Sequence, residues 1–402
     1  MPTFEPFQAL RPQSKYAETF SSLPYDVFNR AEGRVEVRRR PLSFLRIDKA
    51  EVTLPDLIDE HDMRVYQQAA LHFKDARDSQ ILKLDEDECY YLYRLRDGEH
   101  VQTGFVGCVS VSDYDDGFIR KHEFTRPDKE RDRVRQIDAL EAHTGPILLA
   151  HQPDDELNRI VAEQSTNVPL YQFTTEDGIE HTIFKITNRS DMLTIGSQFA
   201  RHDALYIADG HHRAEAASKV AKLHPDNDEA QLFLAVSFSS DQLKIMGYHR
   251  AVEDLYGQSV DELLERISQR FTVTVGRAET TQKHRFEMYL KQQWYTLDYT
   301  AQQTTVKDNL DVSILQHELL TPFLGIEDPR TDARIQFVGG IRGYAGLEQL
   351  VDHGTMAVAF HLHPTDLTDL MQVADANQVM PPKSTWFEPK LRSGLLIHRF
   401  FS

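Results

Sequence analysis

The sequence predicts a mixed α+β protein, because segments typical of strands and of helices follow one another without regular alternation. The aromatic run at residues 89–95 indicates a strand, and the turn signal after it predicts a hairpin with residues 101–111. Residues 232–238 are almost all apolar, which is typical of a central strand. Between residues 367 and 374, apolar side chains recur at intervals of three and four, which predicts an amphipathic helix.

Shorter segments extend this prediction along the chain. Residues 146–150 and 181–186 are short apolar-rich runs that we expect to form strands. Residues 260–271 have a helical pattern, whereas residues 289–299 indicate strands or a hairpin and residues 355–360 indicate a strand. The chain shows neither an internal repeat nor a low-complexity linker, so we expect ordinary globular domains.

Length and composition limit the class of protein. A chain of 402 residues, of which 40% are hydrophobic, is long enough for two or three domains with real cores. Cys89 and Cys108 are the only cysteines and lack the spacing of a redox or metal motif, so reduced thiols are the simplest account. No apolar run approaches the roughly 20 residues that cross a bilayer, and the N-terminus does not look like a signal peptide. We therefore expect a cytoplasmic protein without a membrane segment.

The formal net charge of −18 limits the partners of this chain. Contacts to nucleic acid phosphates need clustered lysine and arginine, so a nucleic acid partner is disfavoured. A small nucleotide held in one local basic pocket is compatible with the charge. The signatures of metalloproteases, Rossmann dinucleotide sites and nucleophile elbows are absent from the sequence.

The densest polar motif is Ala208-Asp209-Gly210-His211-His212-Arg213, which lies between an apolar run and a helix-like stretch. A strand, a glycine turn and a helix start present backbone N–H groups that favour an anion. Gly210 permits the turn, and Arg213 offers a planar fork of donors that suits phosphate oxygens. Asp209 could bind a metal ion, orient a histidine or accept a proton. The alternative is a turn capped by Asp209 with exposed histidines, but the added His-His-Arg favours a phosphate or nucleotide site.

A second polar segment covers residues 119–133 and is dense in charge. Glu123, beside His122 and close to Arg126, could act as a general base or as a Mg²⁺ ligand next to a phosphate site. The alternative is a solvated helix face crossed by salt bridges, which is the usual role of a charge run. Spacing alone favours that structural alternative.

Two further segments have weaker patterns. Residues 24–27, Pro-Tyr-Asp-Val, predict a rigid turn, for which a structural role is the better interpretation. The loop at residues 380–385 lacks the glycines of a Walker loop, so it is not a P-loop. Its Lys383 and two hydroxyl side chains could nevertheless contact an anion.

Several of these segments resemble a widespread family, domain-of-unknown-function family 1015. The resemblance covers nearly the whole chain and is not confined to one motif. It is carried by residues 24–27, 121–133, 205–213, 380–385 and 389–395. On these motifs the chain is identified as a member of that family.

The Asp-Gly-His-His-Arg segment also resembles the phosphate motif of the ParB/sulfiredoxin superfamily. The resemblance implies a ParB/sulfiredoxin-like core at residues 118–252, with an additional N-terminal region at residues 1–117 and a C-terminal region at residues 253–402. His211 stands where sulfiredoxins carry their reactive cysteine, which makes sulfinic acid reduction improbable. The net charge and the missing helix-turn-helix pattern likewise disfavour a DNA clamp of the ParB type.

Free serine kinases, which are also built on a ParB-like domain, are the functional relatives that this resemblance implies. The chain is therefore predicted to transfer phosphate from ATP or ADP, with Mg²⁺, to a hydroxyl acceptor such as free L-serine, giving O-phosphoserine. Glu123 is the predicted base and Asp209 the reserve base or metal ligand. The other predicted ligands are Gly210, His211, His212 and Arg213 for the nucleotide, and Lys121, His122, Arg126 and Lys383 for the acceptor.

Two other functions use the same features. A regulatory protein that binds or slowly hydrolyses a nucleotide and signals to a protein partner would need the phosphate turn but no acceptor pocket. Nucleic acid binding or cleavage, by analogy with ParB, ranks last because of the charge. The sequence leaves the oligomeric state open.

Overall fold

The computed structural model describes residues 1–300 and 305–400 and confirms a mixed α+β architecture. In chain order the α-helices α1 to α14 are Ala17–Phe20, Arg30–Arg39, Leu45–Asp48, Met63–Asp78, Val111–Asp115, Pro127–Leu140, Asp155–Gln164, Arg189–Phe199, His211–Leu223, Val260–Ser268, Asp311–Leu315, Thr321–Leu324, Gly343–Asp352 and Leu367–Asp375. The strands β1 to β21 are Phe4–Glu5, Leu10–Pro12, Leu82–Leu84, Tyr90–Asp97, His100–Ser110, Ile119–Arg120, Ala142–His143, Ile147–His151, Tyr171–Thr174, Glu180–Ile186, Leu205–Asp209, Leu232–Ser239, Lys244–Met246, Tyr248–Val252, Thr272–Val275, Arg285–Leu290, Gln293–Asp298, Ile335–Gly339, Val358–His361, Trp386–Glu388 and His398–Arg399.

The chain forms two compact units. The first unit contains Met1–Lys121, Thr125–Leu243 and the residues from Pro389 onward. The second unit contains His122–Phe124 and Lys244–Glu388. The division into three regions that the sequence suggested stays a prediction. No helix in the described ranges is long and apolar enough to cross a lipid bilayer.

The first unit is built on a mixed sheet in the order β6-β11-β8-β12-β5-β4-β10-β9, with β1 paired to the end of β5. Strand β11 is parallel to β6, and β12 is parallel to β8, whereas the other neighbours on this path are antiparallel. The predicted hairpin at residues 89–111 is confirmed as β4 and β5. Every residue of β8 is buried, as expected for a central strand with helices on its faces.

Helix α9 carries the polar motif at its start and packs on this sheet through small residues. Ala214, Ala217 and Ala221 recur at helical spacing and join a buried cluster with Ile147 and Leu205 of the sheet. Alanine allows the helix to lie close to the strands, and this packing fixes the direction in which its first turn points. The opposite side of α9 packs on α6, where Ala216 and Val220 share a smaller core with Ile137.

The second unit contains an antiparallel sheet in the order β15-β17-β16-β19-β14-β18 and a separate pair, β13 and β20. Its core joins Ala251, Tyr289, Trp294 and Ala359 of the strands to Leu347 of α13. The hairpin predicted at residues 289–299 is confirmed as part of β16 and β17. The strand predicted to begin at residue 355 begins at residue 358.

Candidate functional site

The polar motif forms the strand, turn and helix that the sequence predicts. Strand β11 ends at Asp209, Gly210 adopts φ 101° and ψ 26°, and α9 begins at His211. Only glycine adopts this backbone conformation without strain. Gly210 is the N-cap and has no side chain to cap the helix, so the end of the helix dipole favours an anion. The alternative in which Asp209 caps the helix is wrong.

Asp209 instead pairs with a lysine that is remote in the sequence. The Lys390 Nζ atom donates to Oδ2 of Asp209 at 3.1 Å. Burial disfavours ionisation of Asp209, but the charges of Lys390 and Arg213 outweigh it and hold the pKa of the carboxyl below its ordinary value. Asp209 is therefore a fixed carboxylate, better suited to an electrostatic or metal-binding role than to proton abstraction at neutral pH.

Arg213 reaches back from α9 toward the segment that precedes β8. Its Nη1 atom donates to the carbonyl of Pro146 at 2.8 Å, and its side chain is half-buried. A Cβ on Gly145 would lie 2.9 Å from the same Nη1 atom, so a side chain at this position would displace the guanidinium. Within the described ranges, the other four N–H groups of the guanidinium have no hydrogen-bond partner. Arg213 is thus held by one bond and keeps most of its donors for a ligand.

The two histidines of the motif have different environments. His211 is buried, with 6% of its surface exposed. The Nε2 atom of His212 accepts from the backbone N–H of Arg126 at 3.1 Å, which ties the helix start to the segment before α6. The side chain of Arg126 pairs with Asp128 at 2.8 Å on the surface. Arg126, a predicted acceptor ligand, therefore contacts the helix start through its backbone and not through its side chain.

Lys121, another predicted acceptor ligand, lies along the side of α9. Its Nζ atom is 3.6 Å from Oε2 of Glu215 and 5.2 Å from the ring centroid of Tyr114. The Tyr114 hydroxyl donates to the same Glu215 carboxylate at 2.7 Å. These contacts hold the ammonium group within the first unit while leaving it half-exposed.

His122 and Glu123 belong to the second unit. The carbonyl of His122 accepts from the backbone N–H of Met380 at 2.8 Å, and its Nε2 atom lies 3.5 Å from Oγ1 of Thr385. The imidazole is almost fully buried, with 1% exposure. Glu123, the predicted base, follows directly in the chain and is half-buried. The loop at residues 380–385 thus fixes the backbone that carries Glu123.

Lys383 stands in the same loop, which a buried arginine holds in shape. Arg250 donates from Nη2 to the carbonyls of Pro382 and Lys383 at 3.2 and 3.0 Å. The Ser384 hydroxyl donates to the carbonyl of Pro381 at 2.6 Å, which closes the turn. Lys383 has a positive φ of 56°, and its Nζ atom lies 5.8 Å from the ring centroid of Tyr248.

The charged segment before residue 140 is not only a solvated face, and that prediction is wrong for part of α6. Asp132 and Arg133 are both buried. Arg133 donates to Asp132 at 2.7 Å and to Asp48 at 3.3 Å, and its guanidinium carbon lies 3.7 Å from the ring centroid of Tyr25. Two carboxylates and an aromatic face thus compensate the buried cation. The Pro-Tyr-Asp turn therefore contributes the Tyr25 ring to this buried cluster.

The structure groups the predicted residues by unit. In the first unit it joins Arg126 to the motif at residues 209–213, and in the second it joins His122 to the loop that carries Lys383. Sequence reasoning did not assign roles to Lys390 and Arg133. Both lie in segments that carry the family resemblance, which was the available signal.

A comparison with protein families identifies the family to which the chain belongs. A family model described as "Protein of unknown function (DUF1015)" matches residues 4–313, so the chain belongs to that family. No curated protein matches it. The ParB/sulfiredoxin-like core stays a prediction.

Among solved structures, a free serine kinase in complex with AMP aligns at 12% identity with a TM-score of 0.37, over 70% of this chain and 86% of that chain. SbnI with a C-terminal truncation, from Staphylococcus aureus, aligns at 13% identity with a TM-score of 0.39, over 70% and 82%. A conserved hypothetical protein from Pyrococcus furiosus aligns at 13% identity with a TM-score of 0.35, over 71% and 93%. Identities and TM-scores as low as these carry no argument about function, which is therefore inferred from the side chains of the site.

Proposed function

We propose that this protein binds a nucleotide at the turn of residues 209–213 and transfers a phosphoryl group to the hydroxyl of a small acceptor. The observation that supports this function best is Arg213, whose four remaining N–H groups lie beside a helix start that has no side-chain cap. Planar guanidinium donors and backbone N–H groups together suit phosphate oxygens. Lys390 adds a second cation next to Asp209.

Phosphoryl transfer depends on positioned oxygens and neutralised charge more than on covalent help from the protein. Mg²⁺ is commonly held by one or two carboxylates together with substrate phosphates. Asp209 fits that role, because its lowered pKa keeps the carboxylate charged at neutral pH. A bound Mg²⁺ would neutralise phosphate charge, while Arg213 and the N–H groups of the turn orient the phosphate oxygens.

On the acceptor side, Glu123 is the proposed general base, an assignment that rests on the resemblance to free serine kinases. It would take the proton of the acceptor hydroxyl as the oxygen attacks the terminal phosphorus, and the nucleotide would leave with its bridging oxygen. On the same resemblance, free L-serine is the proposed acceptor and O-phosphoserine is the proposed product. Lys121, His122, Arg126 and Lys383 are the proposed acceptor ligands.

The activity is tested by incubating the purified protein with Mg²⁺, L-serine and either ATP or ADP, followed by detection of O-phosphoserine by mass spectrometry. Product that depends on protein, nucleotide and L-serine supports the kinase. Glu123→Gln should remove turnover while leaving nucleotide affinity within about twofold, since a base acts on the acceptor. Nucleotide binding without any phosphorylated product would favour the regulatory alternative.

Nucleotide affinity is tested separately by calorimetry with ADP. Arg213→Ala removes charge-assisted hydrogen bonds of roughly 1.5–3 kcal/mol, so the affinity should fall about tenfold or more. Arg159→Ala is the matched control, because Arg159 is an exposed arginine of the first unit that pairs only with Glu156 and Glu163 among the described residues. An Arg213→Ala variant with wild-type affinity would remove the motif from its assigned role.

A further inference from the structure

A small cavity lined by both polar and apolar side chains lies in the first unit beside Arg213. Its walls include Asp48, Arg133, His143 and Gly145 together with Arg213, and its volume of about 20 Å³ is room for one water-sized group. Only the side chain of Arg213 belongs to the polar motif of residues 208–213. The cavity therefore brings the motif together with the buried cluster on α6.

His143 provides the observation that points to a ligand. Its side chain is buried, with 6% exposure, and within the described ranges its Nε2 atom has no hydrogen-bond partner. The ring stacks on His398 with centroids 5.9 Å apart and an angle of 4°, so its orientation is fixed by packing. A buried polar nitrogen without a partner is unfavourable unless another group satisfies it.

The charges around the cavity select the kind of group. Two of its wall residues are cations: Arg133, which Asp48 of the wall and the neighbouring Asp132 compensate, and Arg213, which forms no salt bridge among the described residues. Arg213 keeps four N–H donors without a partner in the described ranges. Tyr25 holds the Arg133 guanidinium against its ring, so this wall is rigid before any ligand binds. Such a site favours a small group that accepts several hydrogen bonds and carries negative charge.

We propose that this cavity is an oxyanion subsite, in which Arg213 and the Nε2 atom of His143 bind an oxygen of a carboxylate or phosphoryl group. His143 acts as a neutral donor there. Burial, and to a lesser extent the nearby His398, lower its pKa to about 3, so the ring is uncharged near neutral pH and its tautomer can place the proton on Nε2. A neutral donor binds an oxyanion without adding another charge to the interior.

The subsite goes beyond the proposed function, since it requires an oxyanion but neither a nucleotide nor catalysis. The two share Arg213, so the decisive measurements use His143, which has no role in the proposed kinase reaction. They are made without nucleotide, and failure of one therefore leaves the other intact.

The test titrates protein carrying ¹⁵N-labelled histidine with inorganic phosphate in one arm and with acetate in the other, at constant ionic strength and pH 7. The His143 resonances are those that are missing from the His143→Gln variant. We expect saturable shifts of the His143 ring nitrogens. A response to phosphate alone identifies the phosphoryl source, and a response to acetate alone identifies the carboxylate source. Unchanged His143 resonances in both arms would overturn the subsite.

Variants supply an independent readout. His143→Phe keeps an aromatic ring without a donor, and the affinity for the responding anion should fall roughly tenfold. His143→Gln keeps an N–H donor and should bind within about threefold of the wild type. His353→Phe, at an exposed position of the second unit, is the control and should bind like the wild type. Folding of each variant is checked by far-UV circular dichroism, and wild-type affinity in folded His143→Phe would contradict the subsite.

Discussion

Arg213 of the first unit and Arg250 of the second differ in how their hydrogen-bond donors are used. In the first unit, Arg213 spends one N–H group on the carbonyl of Pro146 and keeps four without a partner in the described ranges. In the second unit, Arg250 is 4% exposed and donates to four carbonyls, those of Tyr248, His249, Pro382 and Lys383. Each arginine directly follows a histidine in the sequence, so the local sequence does not distinguish them. The geometry separates a ligand-binding arginine from one that holds a loop.

The electrostatics follow the same division. Burial lowers the pKa of Arg250 to about 9, because no carboxylate among the described residues compensates the cation and the carbonyl oxygens carry only partial charge. Arg133 lies between the two cases, since its buried guanidinium is compensated by Asp132 and Asp48 yet still borders a cavity. Donors that are hydrogen-bonded within the protein indicate a structural role, and donors without a protein partner indicate a ligand-binding role.

Replacing Arg250 should produce the largest effect on stability. Arg250→Met leaves buried carbonyls unsatisfied, and the free energy of unfolding should fall by about 3 kcal/mol. Trp294 and Trp386 are the only tryptophans of the chain and both lie in the second unit, so urea denaturation followed by tryptophan fluorescence reports on this region.

Arg213→Met is the matched variant for that measurement. It removes one hydrogen bond of a half-buried side chain, so stability should change by about 1 kcal/mol or less, while the affinity for ADP falls about tenfold or more. Equal destabilisation by the two substitutions would contradict the division between loop-holding and ligand-binding arginines.

Acid should affect the two units unequally. Burial lowers the pKa to about 3 for His143, His151 and His181 of the first unit and for His249 of the second. The unfolded chain protonates these rings near pH 6.5, whereas the folded protein keeps them neutral down to about pH 3. The free energy of unfolding is therefore highest above pH 6.5 and decreases as the pH falls toward 3. Each ring contributes on the order of 1 kcal/mol of destabilisation per pH unit in that window.

Urea denaturation at pH 7.0 and pH 5.5 tests this inequality. The stability followed by far-UV circular dichroism, which reports on both units, should fall more than that followed by tryptophan fluorescence. His151→Gln can keep a bond to the Ser237 hydroxyl, which lies 2.8 Å from Nδ1 of His151, and should make the pH dependence shallower by the share of one ring. An unchanged pH dependence in this variant would show that the folded protein does not hold His151 neutral.

Local patterns predicted the elements but not the contacts between distant segments. The run at residues 205–209, the glycine and the following alanine-rich helix specify a strand, turn and helix by short-range rules, and the structure has them. Lys390 and Asp209 are 181 residues apart, and no periodicity relates such a pair. Asp132 and Arg133 were expected to be solvated because pattern analysis treats each charge separately, whereas burial becomes tolerable once the two charges compensate each other.

Gly145 offers a way to disturb Arg213 without removing it. A Cβ at this position would lie 2.9 Å from both Nη1 of Arg213 and Oγ of Ser393, so Gly145→Ala should displace the guanidinium. The expected result is a loss of ADP affinity of up to about tenfold, because the fork is misplaced rather than absent. Gly196→Ala is the control, since its Cβ meets only ordinary contacts and should leave the affinity unchanged. Wild-type affinity in Gly145→Ala would show that the position of Arg213 does not matter for the nucleotide.

The smallest expected effect concerns the pair of Lys390 and Asp209. Lys390→Met removes one of the charges that lower the pKa of Asp209, so that pKa should rise toward its ordinary value while Arg213 still limits the rise. Carbon-detected NMR of the Asp209 carboxyl measures the shift, and ADP affinity in the presence of Mg²⁺ should fall only a few-fold. Lys222→Met is the control, because Lys222 pairs with Asp115 at 3.0 Å elsewhere in the first unit. If Lys390→Met abolished binding, Lys390 rather than Arg213 would be the principal phosphate ligand. The residue to compare with the loop-holding Arg250 would then be Lys390.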